Sequence, residues 1–276
     1  MDRHLQDLIP PKPYAASFDP DNAIEQLHEN TKWFRRTFKG QLRSIVRYLS
    51  NPGYIARGAS GYHEFLNCPT LALAQPQLLD TPLSEALANR RSGYGLAGAL
   101  SSGQLSTLLH HAFGVNKRAF STVAPSVEIC FRPYPSPGGL YPTEIYLYVN
   151  NVEGIAPCIA HYDARTHTLR VLAEQDGRAF EKIEIPSGGQ HSRAPVVVVL
   201  TTVPQRVTAK YGGRGYRMGL LEAGHASQNA CLVASALGIG SLVYGSYFDD
   251  ELAEALNIDG VTETVASVIL FGEATK

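Results

Sequence analysis

Three short segments of this sequence carry residue types that could do chemistry together. The first, Arg132-Pro-Tyr-Pro-Ser-Pro-Gly-Gly-Leu-Tyr-Pro-Thr-Glu144, runs straight into an alternating apolar stretch. Its prolines stiffen the chain while Gly138 and Gly139 remove side chains, so a flat ring could lie against backbone N–H groups. A rigid strand entry would use the same residues. The second, Arg90-Arg-Ser92, sets two guanidinium groups beside a hydroxyl. Arginine offers paired donors to phosphate oxygens, although two surface charges read the same way. The third is Lys210-Tyr-Gly-Gly-Arg-Gly-Tyr216. Unperturbed lysine and tyrosine both titrate at about 10, so a proton-accepting role needs burial or nearby cations such as Arg206, Arg214 and Arg217. An ordinary basic loop is the alternative. A ring platform, a phosphate site and a proton acceptor together suggest a flavin mononucleotide (FMN) enzyme.

Other site types are excluded by inspection. There is no Gly-Lys dipeptide for a Walker A loop, no Gly-x-Ser-x-Gly elbow and no His-Glu-x-x-His helix. Gly238-Ile-Gly240 follows a helix and precedes a strand, the reverse of a dinucleotide fingerprint. His110 and His111, about 100° apart on a helix, cannot readily share a metal, and no metal site is expected. Cys68, Cys130, Cys158 and Cys231 form no paired pattern and are expected to be small buried hydrophobes.

The elements that must position these segments fall into two regimes. Residues 1–80 are proline-punctuated, with one helix expected from Asn22 to Leu49 whose face is Ile24, Leu27, Phe34, Phe38, Leu42, Ile45 and Leu49. Its basic residues, from Lys32 to Arg47, form either a solvated face or a docking surface for an acidic partner. From Thr81 onward the pattern tightens. Thr81 and Pro82 read as N-cap and first helical residue of a helix to Asn89. Ser102 starts another, which Gly114 stops. Strands are expected at Ile145–Val149, Ile159–Tyr162, Thr168–Leu172 and Leu242–Phe248, with Val196–Leu200 central and Val265–Phe271 closing the sheet. A long helix should run from Tyr216 to Leu237 on a face of Leu220, Leu221, Gly224, Cys231, Ala234 and Leu237, ended by Gly238. Asp249 should cap a last helix. Hairpins mixed with helices argue for an α+β fold with a largely antiparallel sheet.

Composition agrees with a globular chain. The 276 residues are 44% hydrophobic and 18% charged, with 24 basic against 25 acidic side chains. That balance speaks against nucleic-acid binding, and no apolar run is long enough for a membrane span. The N-terminus lacks a signal-peptide core, so a cytoplasmic location is expected.

Taken in order, Arg90-Arg-Ser92, Pro135-Ser-Pro-Gly-Gly-Leu-Tyr-Pro-Thr-Glu144, Lys210-Tyr-Gly-Gly-Arg-Gly-Tyr-Arg217, Leu221-Glu-Ala-Gly-His-Ala-Ser-Gln-Asn229 and Ala236-Leu-Gly-Ile-Gly240 resemble the nitroreductase superfamily. The resemblance is to its SagB-type, azoline-oxidising (thiazole/oxazole) dehydrogenase branch, over about residues 80–273. It implies a nitroreductase-like FMN-binding fold, a mostly antiparallel sheet flanked by helices, in an intertwined homodimer with FMN at the interface. Residues 81–276 would form that domain, and 1–80 an extension for substrate or partner contact. Arg90, Arg91 and Ser92 would hold the phosphate and ribityl end, completed by backbone at Gly238 and Gly240. Pro135, Ser136, Gly138, Gly139 and Leu140 would contact the isoalloxazine ring, with Gln228 on the helix lining the site. Many members carry a further basic residue two positions after the serine, where this chain has Tyr94. The implied reaction oxidises a thiazoline or oxazoline in a ribosomally made precursor peptide. A proton passes to Lys210 or Tyr211, a hydride to the flavin, and dioxygen accepts the electrons. A cyclodehydratase is an implied partner. The alternatives are an NAD(P)H-dependent nitro or quinone reductase and a flavin-free scaffold for a cyclodehydratase.

Overall fold

The computed structural model describes residues 21–185 and 193–273. Residues 1–20 of the expected extension, 274–276 of the expected second segment and 186–192 lie outside the described residues. The N-terminal helices are α1 (Ala23–Asn30), α2 (Arg35–Ser50) and α3 (Pro52–Ala59), followed by strand β1 (Thr70–Ala72). Then come α4 (Leu83–Asn89), α5 (Ser102–Phe113), β2 (Lys117–Phe120), β3 (Glu128–Phe131), β4 (Thr143–Val149), β5 (Cys158–Asp163) and β6 (Thr168–Glu174). The chain ends with β7 (Val196–Thr202), α6 (Gln205–Tyr211), α7 (Arg214–Ala236), β8 (Gly240–Tyr244), α8 (Asp249–Ala255) and β9 (Thr264–Gly272).

β4 and β7 are buried along their whole length, as the run of β-branched residues from Val196 predicts for a strand covered on both faces. They pair at the middle of a sheet ordered β1-β6-β5-β4-β7-β9-β8, antiparallel throughout. A separate hairpin joins β2 and β3. The fold is thus α+β with an antiparallel sheet. On one face α5 sets Leu105, Leu108, Leu109 and Phe113 against Ile145, Leu147, Val198 and Leu200, and α7 adds Ala226, Ala230 and Ala234. The other face packs Tyr146, Tyr148, Val197 and Val199 under Phe180, Leu252 and Leu256. Ser101 and Gln104 form a reciprocal capping box at the start of α5.

Several expectations need correction. The single N-terminal helix is broken into α1 and α2, because the Thr31 hydroxyl caps back onto the Leu27 and His28 carbonyls. The chain then turns to lay Trp33 beside Tyr211, ring centroids 6.5 Å apart. α3, β1 and the β2–β3 hairpin were not anticipated; the last two are short strands of three and four residues. Pro82 is the N-cap of α4, and Thr81 instead donates its hydroxyl to the Ala236 carbonyl. Asp249 is the first helical residue of α8, not its cap. β9 lies inside the sheet, leaving β8 at the edge. Cys158 and Cys231 are buried, but Cys68 and Cys130 are only half-buried.

The largest correction concerns α7. Its sheet-facing side is Gly215, Gly219, Ala223, Ala226, Ala230 and Ala234, so Leu220, Leu221 and Gly224 are exposed. The small residues let the helix lie against the strands: a methyl at Gly219 would come 2.7 Å from the Thr202 hydroxyl. No leucine fits that gap.

The N-terminal helices pack onto the sheet domain. α2 lies along α6, and β1 extends the sheet by pairing with β6. Among the described residues no helix is long and apolar enough to cross a membrane.

Candidate functional site

Helix α6 is a short platform, closed by Gly212 in a conformation (φ +61°, ψ −155°) open to glycine. Arg206 and Lys210 lie four residues apart on it, one turn along the same side. The Arg206 Nη2 is 2.6 Å from Glu144 Oε1, which fastens α6 to the start of β4. Glu144 is buried; its Oε2 lies 2.7 Å from His161 Nε2, and its Oε1 accepts the His63 backbone N–H at 2.9 Å. Burial opposes its charge, yet Arg206 and the hydrogen-bonded His161 hold its carboxyl well below the usual carboxylate range. The three arginines expected to act on Lys210 and Tyr211 are thus engaged elsewhere. Arg206 is held by Glu144, Arg214 lies 4.8 Å over the Trp33 ring, and Arg217 reaches the His28 carbonyl and the Thr31 hydroxyl.

Lys210 is only 4% exposed. Its carbonyl accepts from Gln41 Nε2 at 3.0 Å and Ser44 Oγ at 3.4 Å, both on α2. Its Nζ lies 5.3 Å from the ring centroid of Tyr48 and 5.1 Å from that of Tyr211. The loop before β4 meets this pair directly. A methyl built at Gly138 would stand 2.6 Å from both Lys210 Nζ and Tyr211 OH. Gly138 and Gly139 both have positive φ (+66° and +67°), which bends the loop into a short turn whose entry is pinned by the Ser136 hydroxyl accepting the Tyr141 N–H at 2.9 Å. Beside it a cleft of about 320 Å³ separates Pro135, Ser136 and Pro137 from Tyr211, Met218, Leu221 and His225.

Glu222 closes the floor of that cleft. Its Oε1 accepts the Thr143 N–H at 3.2 Å, its Oε2 has no hydrogen-bond partner among the described residues, and burial pushes its carboxyl up.

The remaining candidates gather at the far end of α7. Ser92 bridges Ser241, and the Gly93 N–H donates to the Ser241 carbonyl at 2.9 Å. Exposed Ser92 therefore lies beside the start of β8, just after the Gly238–Gly240 turn, and is preceded by half-buried Arg90 and exposed Arg91, whose guanidinium donates to the Arg90 carbonyl. Gly238 has φ +69° and open space where a side chain would be. Gln228, exposed, stands between the two clusters. From Glu222 to Ala236 is about 21 Å of helix, so one protomer does not bring the loop and the arginines together.

Three functional candidates escaped the sequence. Glu144 and Glu222 sit inside quoted motifs, yet only the fold reveals that both are buried. Tyr48 had no signal beyond helical spacing. Among the described residues no His, Cys, Asp or Glu cluster could hold a metal.

Gly138→Ala tests the contact that defines the site. Backbone strain and the displaced lysine–tyrosine pair should cost about 1–3 kcal/mol and lower the melting temperature by several degrees. Any reaction using that pair should slow more than about tenfold. Melting curves and turnover check it against Gly154→Ala, which shares the positive φ (+75°) but whose methyl would meet nothing within 4 Å, so that the difference between the two variants reports the lysine–tyrosine contact.

Comparison with known proteins gives a consistent picture. A family model described as the nitroreductase family matches residues 88–273. A protein of Methanocaldococcus jannaschii described as a nitroreductase is 32% identical over 197 residues, which are 68% of this chain and 91% of that protein. The microcin B17-processing protein McbC of Escherichia coli is 34% identical over 163 residues, 56% of this chain and 58% of McbC. A chain of the E. coli microcin synthetase McbBCD complex, solved with truncated pro-MccB17 bound, superposes with a TM-score of 0.57 at 23% identity. That match covers 93% of this chain and 99% of the other, a likeness of fold.

Proposed function

The chain belongs to the nitroreductase family, and from that premise we propose that it is an FMN-dependent dehydrogenase that converts thiazoline or oxazoline rings of a ribosomally made peptide to thiazole or oxazole. The observation that carries this reading is the meeting of Lys210 and Tyr211 with Gly138 in the ring-facing loop. A nicotinamide needs no proton acceptor to give up a hydride, whereas aromatising an azoline removes a proton as well. The resemblance to a microcin B17-processing protein points the same way.

The residues fit FMN. A flat, mostly apolar cleft with the orphaned Glu222 Oε2 at its floor suits a heteroaromatic ring. The guanidinium groups of Arg90 and Arg91 and the Ser92 hydroxyl suit a phosphate; the turn at Gly238 follows the C-terminus of α7, so it can add backbone N–H groups but no favourable helix dipole. Bound flavin supplies the two-electron acceptor for the hydride. The protein's part is to hold the flavin ring on the Gly138–Gly139 loop, to present the peptide's ring to it beside Lys210 and Tyr211, and to take its proton on one of that pair. Dioxygen is the final acceptor in this reading.

The two clusters' separation along α7, together with exposed Leu220 and Leu221, supports a homodimer in which FMN lies between protomers. The peptide-bound synthetase with which this fold aligns supports a precursor-peptide substrate and a cyclodehydratase partner.

Arg90→Ala should weaken FMN binding about 10- to 100-fold, as expected for a lost charge-assisted contact, without abolishing the fold. Equilibrium titration of flavin fluorescence checks it. The reading itself is tested anaerobically: a thiazoline peptide should bleach the oxidised flavin band in one turnover while NADPH should not. Bleaching by NADPH alone would instead favour a nitro or quinone reductase.

A further inference from the structure

Helix α2 buries the wrong face for an ordinary amphipathic helix. Gln41, Ser44 and Tyr48, at spacings of three and four, face α6, while Phe38, Leu42 and Val46 are exposed. Apolar burial is largely forgone there, with Ile45 only half-buried, and the side-chain hydrogen bonds that this face makes to α6 go to Lys210. Gln41 and Ser44 hold its carbonyl. Tyr48, 6% exposed, lies under its Nζ, within the roughly 6 Å at which an aromatic face attracts a positive charge placed there. The Tyr48 ring is itself fixed. It stacks on Tyr54 at 5.7 Å, and its hydroxyl lies so close to Gly58 that no methyl fits there; Leu140 of the ring-facing loop borders the same spot.

Resting on the reading of Lys210 as proton acceptor, we propose that Tyr48 is a positioning residue of the site. Its ring, with that of Tyr211, cradles Lys210 Nζ against Gly138 and stabilises the positive charge that develops there as the substrate's proton arrives. The Tyr48 phenol keeps its own proton, since burial and then neighbouring Tyr211 push it up, with Arg57 opposing only in part. The ring and not the hydroxyl therefore does the work, which separates two substitutions. Tyr48→Phe keeps the aromatic face; Tyr48→Leu keeps an apolar side chain without it.

The test uses the full-length, flavin-loaded protein and two readouts. In peptide oxidation, Tyr48→Phe should keep kcat within about threefold. Tyr48→Leu should lower kcat about tenfold or more with KM unchanged, in line with the worth of a desolvated cation–π contact. Independently, labelling of Lys210 by an amine-reactive reagent, read by mass spectrometry, should rise several-fold in Tyr48→Leu and not in Tyr48→Phe. Tyr48→Met repeats the aliphatic arm if the leucine variant does not fold. Equal kcat in the phenylalanine and leucine variants, or equal protection of Lys210 in all three proteins, would overturn the proposal. If the unsubstituted protein oxidises no azoline, the functional reading fails, and the labelling arm alone still decides the role of Tyr48.

Discussion

Replacing Lys210 with alanine is expected to slow azoline oxidation by about 10²- to 10⁴-fold, the usual range for removing a positioned proton acceptor, while FMN stays bound. Lys210 is buried at the end of a seven-residue helix whose orientation is fixed from two sides, by Arg206 on Glu144 and by Gln41 and Ser44 on its carbonyl. Its amine stands with the Tyr211 hydroxyl against the backbone of the ring-facing turn. None of these contacts involves Arg90, Arg91, Ser92 or the Gly238–Gly240 turn, so the flavin phosphate should not register the loss. Tyr211→Phe removes only a hydroxyl and should cost less if Lys210 takes the proton directly. Turnover of a thiazoline peptide and the flavin-to-protein absorbance ratio, measured on the same preparations, check both statements. Loss of flavin in parallel with activity would mean that the pair holds the cofactor.

The second large effect is structural. Arg206→Met should destabilise the fold by about 3–5 kcal/mol, because it leaves the buried Glu144 carboxylate without its guanidinium partner. A melting temperature lowered by roughly 10 °C is the expected readout. Glu144 also gives the protein an acid limb. Its folded-state pKa is depressed by Arg206 and His161 against the cost of burial. The stabilisation is therefore complete above the ordinary glutamate value of about 4.3 and falls away as pH drops below it, since the unfolded chain then binds the proton first. The Arg206→Met variant should lose most of that acid dependence. Denaturant titrations of both proteins between about pH 3 and 7 compare the slopes. A variant as stable as the parent, with the same acid limb, would mean that Glu144 is held by other groups.

The strands of the central sheet were legible because Ile145–Val149 and Val196–Leu200 carry β-branched and apolar runs whose burial needs no long-range knowledge. The loop and the lysine–tyrosine pair were legible as residue types at suggestive spacings. Their contact was not, since it depends on α6 being turned toward β4 by one buried ion pair between residues 62 positions apart. The face of α7 is not legible from its leucines, because close packing against Thr202 selects glycine and alanine. Helix α2 hides its role for a related reason: its apolar stripe looks like a core face, yet its buried residue is Tyr48, and half-buried Gln41 and Ser44 hold the Lys210 carbonyl.

The most direct test of the central claim is the mass of a thiazoline-bearing peptide incubated in air with the purified, FMN-supplied protein. A loss of two hydrogens, about 2 Da for each ring oxidised, is expected, with at most about a hundredth of that conversion over the same time in the Lys210→Ala sample at equal flavin content. An unchanged mass in the presence of bound FMN, with any required partner enzyme supplied, would contradict it.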